Sequence, residues 1–440
     1  MTMEIWDLFD RDGNRTGETW ERQFGNFRTI PDGRYHLVVD ILIQHVDGTY
    51  LLTKRDEGKD VYPGYWEASA GGSALSGEEP LEAAKREMKE ETGLESDDFI
   101  LVNVSFRELS HSMFYSYIAV VDCDKASVVL QEGETTEYKW VDKAGLMEYA
   151  DSPLSIKTHN DRYSSLFNGY KKEMEGISER KKLLLFDLDG TLLKTDKTIS
   201  VRTLAAVLKS HAYGYMVGIS TSRSQNNSMC FISSVSPDVI ISSGGAMVTV
   251  NGKIALLEGF DGDETNSLIA KAREVCGDDV NISVDTAEEK AEYYRNFIPP
   301  EDELEKSWGE SIDTDFADFR KPSLKLCFEI ADEAVADKLK NELTNCDFIH
   351  FTDGDWYKIT KAGITKETAI EKLCDSLGIG LEDVTAFGDD LADIGMLKMC
   401  GTGVAMGNAR PEVKEVSDVV IGSNDEDGIE KYLLELFESK

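Results

Sequence analysis

Residues 37–44 read Leu-Val-Val-Asp-Ile-Leu-Ile-Gln, a β-rich run, and Asp47-Gly48 supplies a turn before Tyr50-Leu-Leu-Thr53. The pattern predicts two strands, with further strands at 99–106, 114–121 and 138–141. Between them the spacing predicts a helix over 80–92, with Pro80 in its first turn and Gly93 as its stop. Residues 171–182 are polar and highly charged, which predicts a linker. Beyond it strands and helices alternate: strand 183–188, helix 201–209 and strand 214–220. From 258 to 350 the chain turns very acidic and the alternation stops. It is expected to resume with strand 356–360, helix 366–377, strand 384–387 and helix 392–399. Such alternation predicts a parallel sheet covered on both faces, and the interruption predicts a cap inserted into it.

A length of 440 residues suggests two or three domains, and 41% hydrophobic residues can fill a core in each. Eighty-three acidic residues against 47 basic give a net charge of −36. A surface of that sign repels nucleic-acid polymers, whose binding draws on Lys and Arg, and also anionic membranes. Small phosphorylated metabolites remain compatible partners, because their sites need only local cations. The start, Met1-Thr-Met-Glu-Ile-Trp-Asp7, has no basic or apolar stretch, so no signal peptide is expected, and no membrane span either. Seven scattered cysteines without a C-x-x-C pair predict free thiols and a cytoplasmic protein.

Two stretches carry chemistry. In the first, Gly72-x5-Glu78-x7-Arg86-Glu87-Met88-x-Glu90-Glu91-x-Gly93-Leu94, the acids fall at helical spacing. Residues three and four apart share a helix face, so Glu87, Glu90 and Glu91 project together. Their repulsion costs on the order of 1 kcal/mol per pair, and a hard cation would remove it. Arg86 has the reach to fix one of these acids. The stretch resembles the Nudix box at every defined position, and Pro63-Gly64-Tyr65-Trp66 and Glu137-Tyr-Lys-Trp140 resemble flanking Nudix elements. The resemblance implies hydrolysis of a diphosphate linked to a moiety X, with Mg²⁺ or Mn²⁺ held by Glu87, Glu90, Glu91 and the Gly72 carbonyl, and with Glu87 also catalytic. The metal would polarise phosphorus and lower the pKa of the attacking water. The opening through Trp6–Gly13 is similar to the branch containing isopentenyl diphosphate isomerase. Isomerase chemistry there needs a cysteine near 66–71, and the first cysteine here is Cys123.

The second stretch is scattered. Asp187-Leu-Asp189-Gly190-Thr191 follows an apolar strand, and residues i and i+2 of an extended chain share a face. Both carboxylates therefore address the strand's carboxyl end, where open α/β sheets bind ligands. Thr221 ends the next strand, Lys366 opens a helix, and Gly388-Asp389-Asp390-Leu-Ala-Asp393 closes a third strand. Asp187, Asp389 and Asp393 together make an oxygen cluster suited to Mg²⁺. These pieces resemble the Cof-type phosphatases of the haloacid dehalogenase superfamily, as do Gly403–Asn408 and Asn424–Gly428. The resemblance implies that Asp187 attacks phosphorus, Asp189 is the acid and then the base, and Thr221 and Lys366 hold the phosphoryl group. It assigns the metal to Asp187, Asp389, Asp393 and the Asp189 carbonyl. Ala392, Ser222 and Gly244 depart from the family pattern, and the missing asparagine at 392 predicts a weaker hold on the metal.

The two resemblances imply an α/β fold class: an N-terminal Nudix α/β/α sandwich with a mixed sheet over 1–172, and a linker over 173–182. A Rossmann-like parallel core follows over 183–257 and 351–440, with an α+β cap over 258–350. The expected function is a two-headed Mg²⁺-dependent hydrolase of diphosphates and small phosphomonoesters. The alternatives are one catalytic head beside a sensing module, or an isomerase-like first head.

Overall fold

The apolar run at 37–44 forms the middle of an 11-residue strand, Tyr35–His45. In this computed structural model the described residues are 4–22, 29–59, 61–174, 181–286, 292–298, 311–351 and 354–438. Tyr35–His45 pairs in parallel with Ser112–Val121, from His36↔Ser112 to His45↔Val121, and antiparallel with Ala70–Ser73 and Ile5–Phe9. The result is a mixed sheet of nine strands. Helix Pro80–Thr92 buries Ala83, Ala84 and Met88. The helical segment after residue 142 contributes Leu146, Tyr149, Phe167 and, between two helices, Tyr163 to a second cluster with Leu42, Tyr50 and Leu52. Successive strand residues point to opposite faces, so the one strand supplies both layers: Ile41 and Ile43 to the first cluster, Leu42 to the second. The strands Ile5–Phe9 and Arg15–Glu21 were not expected, because the second is almost entirely exposed and lacks the apolar alternation that marks a strand.

Residues 175–180 of the expected linker lie outside the described residues. Beyond them Lys182–Phe186 lies at the centre of an eight-stranded sheet. Leu183, Leu184, Leu185 and Phe186 are fully buried, as an apolar strand covered on both faces requires. It pairs in parallel with Tyr215–Ser220 on one side and Val384–Gly388 on the other. The chain thus winds first one way and later the other from this strand, and the crevice at the strands' carboxyl ends sits at that switch point.

The insertion forms its own six-stranded sheet, with helices Gly262–Cys276 and Glu333–Glu342 packed on an apolar face. Trp356–Lys361 does not reopen the core; it is a cap strand between Ser323–Glu329 and Cys346–His350. The return to the core therefore falls just before helix Lys366–Leu377 rather than at 351. A period-two pattern identifies a strand but not its partner, so the sequence could not assign this strand to a sheet. The N-terminal sheet touches the core through strand Asp98–Arg107 against helix Val201–Ser210, beside an Asp12–Arg202 ion pair of 2.9 Å. Among the described residues no helix is long and apolar enough to cross a membrane.

Candidate active sites

Helix Pro80–Thr92 is built as its sequence suggests: Pro80 at its start, and Gly93 left-handed at φ 70° with its N–H donating to the Lys89 carbonyl. That fixes Arg86 to Glu91 above the strand Ala70–Ser73. Arg86 is the organiser. It grips Glu78 through Nε and Nη2 (2.6 and 2.9 Å), Glu87 and Glu90 through Nη1 (2.8 and 3.0 Å), and the Ser73 carbonyl (3.1 Å). The Glu87 carboxylate lies against Gly72, where any Cβ would overlap it. Glu91 is buried and accepts from the Gly71 N–H at 3.2 Å. Burial, then Glu67 and Glu87, pushes its carboxyl well above the usual range, and burial also raises Glu87. Glu90 is half-exposed and turned to Arg86.

Gly72, Glu87 and Glu91 therefore gather at one spot, with Glu90 at its edge. Sequence reasoning missed Glu67, a buried acid held by Arg55 at 2.8 Å and close enough to raise Glu91. Its position beside the expected Trp66 element was the available signal. Every donor here is oxygen, and two buried, mutually repelling carboxyls beside a side-chain-free Gly72 suit a hard cation.

In the core, Asp187 follows the central strand, its N–H bound to the Phe387 carbonyl at 2.9 Å. Lys366 reaches it from the first turn of helix Lys366–Leu377, which Thr365 caps. Its Nζ donates to Asp187 Oδ1 at 2.6 Å and to Asp393 Oδ1 at 2.7 Å. These residues are 179 and 27 positions away in sequence. Asp187, Asp389 and Asp393 present oxygens that all lie within 4.8 Å of one another, the one such group of three found among the described residues. Burial and then Asp393 raise Asp187 well above the carboxylate range, against the pull of Lys366. Asp389 is pushed up to about 6, first by burial, with Asp393 and Asp390 adding and the Thr191 hydroxyl opposing at 2.7 Å. Three acids so crowded, two of them raised, are what a divalent cation would relieve.

Asp189 behaves differently. Burial works against its charge, but Arg223 (2.6 and 2.8 Å) and Lys197 (2.8 Å) bring it down to about 2. Neither Lys197 nor Arg223 stood out in the sequence pattern. Thr221 is buried, and its hydroxyl oxygen accepts from the Arg223 N–H at 3.1 Å, which leaves the hydroxyl proton to donate. Asn408 binds the Gly190 carbonyl at 2.7 Å and Asn424 the Leu193 carbonyl at 2.9 Å, so the late Asn motifs brace the loop that follows Asp187. Ala392 does not leave Asp393 loose: its Oδ2 accepts the N–H groups of Asp389 and Asp390, both at 3.1 Å.

The profile of the haloacid dehalogenase-like hydrolases matches residues 184–433, and that of the NUDIX domain matches 34–160. A 5-amino-6-(5-phospho-D-ribitylamino)uracil phosphatase of Bacillus subtilis is 29% identical over 252 residues, covering 57% of this chain and 93% of its own. A Nudix hydrolase of Listeria innocua, described as uncharacterized, is 34% identical over 145 residues, covering 33% of this chain and 83% of its own. The crystal structure of a hypothetical protein from Geobacillus kaustophilus superimposes with a TM-score of 0.52 at 26% identity, over 58% of this chain and 99% of that one.

Proposed function

This chain belongs to the haloacid dehalogenase-like hydrolases through residues 184–433 and to the Nudix hydrolases through its N-terminal part, and from that premise we propose that both heads are catalytic. The first would cleave an X-linked diphosphate, and the second would dephosphorylate a small phosphomonoester. The observation that carries the second activity is Lys366 holding Asp187 and Asp393 beside Asp389 at the carboxyl end of the central core strands.

In the phosphatase head Asp187 forms the new bond to phosphorus as the ester P–O bond breaks. The leaving oxygen takes a proton from Asp189. Water then attacks the phosphorus under Asp189 as base, the bond to Asp187 breaks, and phosphate leaves. Asp189 cannot donate while it is paired with Arg223 and Lys197. A substrate phosphate that draws those cations to itself would free Asp189 to take up a proton. The Thr221 hydroxyl and the Lys366 ammonium are set to bind phosphoryl oxygens. In the diphosphatase head, Arg86 orients Glu87 and Glu78, and burial equips Glu87 or Glu91 to take a proton from water. Mg²⁺ or Mn²⁺ would sit with Glu87, Glu90, Glu91 and the Gly72 carbonyl in one head, and with Asp187, Asp389, Asp393 and the Asp189 carbonyl in the other. When bound, the cation neutralises charge on the phosphoryl oxygens.

The test is phosphate release by the full chain from panels of monophosphates and X-diphosphates, starting with the compound named for the Bacillus relative. Glu91→Gln should silence only diphosphate cleavage, and Asp187→Asn only monophosphate cleavage. A folded variant that loses both activities at once would overturn two independent heads.

A further inference from the structure

Cations gather where the cap meets the carboxyl ends of the core strands, and most have an acid to answer them. Lys366 has Asp187 and Asp393, and Arg223 has Asp189. Lys325, from the cap strand Ser323–Glu329, pairs with Asp285 at 2.9 Å and donates to the Ser222 carbonyl at 3.1 Å. Lys358 is the exception. It stands on the neighbouring cap strand, opposite Cys327, and is only 6% exposed. Among the described residues its ammonium has no hydrogen bond or ion pair.

Its position is equally specific. The Lys358 Nζ lies 2.7 Å from where a Cβ on Gly244 would stand, so Gly244 keeps that space open. The Gly244 N–H donates to the Thr221 carbonyl at 3.1 Å, and Gly245 packs against the Thr365 carbonyl just ahead of Lys366. The ammonium therefore stands over Gly244, in a loop that bonds to Thr221 and packs against the residue before Lys366. Burial, then Lys325 and Lys366, pushes it down to about 8, against a smaller opposing pull from Cys327 and Asp347. Burying a cation without a counter-ion is costly, and a ligand that brings the anion removes the cost.

We propose that Lys358 selects substrates whose leaving group carries a second anion, a carboxylate or a second phosphate, alongside the phosphomonoester to be cleaved. This rests on the phosphatase reading above and narrows it to bis-anionic substrates. Thr221 and Lys366 take the phosphoryl, and Lys358 takes the second charge over Gly244.

Binding by calorimetry, in Mg²⁺, with the full-length Asp187→Asn chain tests this without turnover. The probes are two matched pairs: 3-phosphoglycerate with glycerol 3-phosphate, and fructose 1,6-bisphosphate with fructose 6-phosphate. At least one bis-anion should bind tenfold or more tighter than its partner, and which pair does so tells carboxylate from phosphate. Adding Lys358→Met should bring that ratio to within twofold, whereas Lys358→Arg should retain most of it. Lys358→Gln repeats the test if the methionine variant melts early. Equal binding within both pairs, binding of neither member at millimolar concentration, or a preference that survives Lys358→Met would overturn the proposal. A wild-type chain that keeps the preference yet releases no phosphate from any monoester would count against the hydrolytic reading alone.

Discussion

Replacing Asp187 by Asn separates chemistry from folding, because the charges around it nearly cancel. At an effective dielectric of about 20, the Lys366 ammonium at 2.6 Å attracts an ionised Asp187 by about 6 kcal/mol. Asp389 and Asp393 present oxygens within 4.8 Å, and each repels that charge by about 3.5 kcal/mol or more when ionised. Two repulsions of this size offset the one attraction, and burial weighs further against the charge, which is why Asp187 resists ionising. An asparagine keeps an oxygen that can accept from Lys366 and leaves the ammonium its bond to Asp393. In metal-free buffer the variant should therefore melt at or slightly above the wild-type temperature. Added Mg²⁺ should stabilise the wild type more than the variant, since the variant offers one fewer charged ligand. Monophosphate hydrolysis should fall by about a thousandfold or more, because an amide cannot readily replace the attacking carboxylate. Diphosphate hydrolysis should stay at the wild-type rate. The assays are phosphate release on both substrate classes and a thermal melt with and without Mg²⁺. Asp187→Asn keeping more than a tenth of the phosphatase activity, free of contaminating enzyme, would refute attack by Asp187.

The other head can be tested at a residue with no functional group. Gly72→Ala would drive its Cβ into the Glu87 carboxylate, the far end of a flexible side chain, so the fold should tolerate it while diphosphate cleavage drops by tenfold or more. A variant with full diphosphatase rate would show that the placement of Glu87 over Gly72 is unimportant. Chelation with EDTA should stop both activities and Mg²⁺ or Mn²⁺ should restore them, given the all-oxygen donor sets; turnover in chelator removes metal from that head's mechanism. Arg223→Met removes the stronger of the two partners, Arg223 and Lys197, that bring Asp189 down to about 2. A lowered carboxylate stabilises the fold above its unfolded value of 3.8 and loses that contribution as pH falls toward 2. Urea melts should therefore show the variant weaker by about 1 kcal/mol at pH 6, after discounting for the partial exposure of Asp189, with the gap narrowing below pH 4. A gap that is constant with pH would mean the loss is one of packing.

What the sequence determined by itself is local. Pro80 and Gly93 bound a helix because each suits one helix end, and the spacing of Glu87, Glu90 and Glu91 places them on one side of it. The apolar strand before Asp187 and the i, i+2 acids after it direct two carboxyls toward one end of a sheet through backbone geometry alone. Tertiary structure decided which of those groups meet, and in what charge state. Trp356–Lys361 reads as a strand in any sheet, and only pairing with Ser323–Glu329 and Cys346–His350 brought Lys358 into the cap. Arg223 and Lys197 hold the resting Asp189 as an ionised carboxylate, and burial, with Glu67 beside it, raised Glu91. Ala392 looked like a defect because the residue that holds Asp393 was sought next to it in sequence; the hold comes from two backbone N–H groups and from Lys366. The Lys366–Asp187 contact closes a separation of 179 residues. Periodicity is a property of neighbours along the chain, whereas desolvation and charge pairing depend on neighbours in space, and the fold alone supplies those.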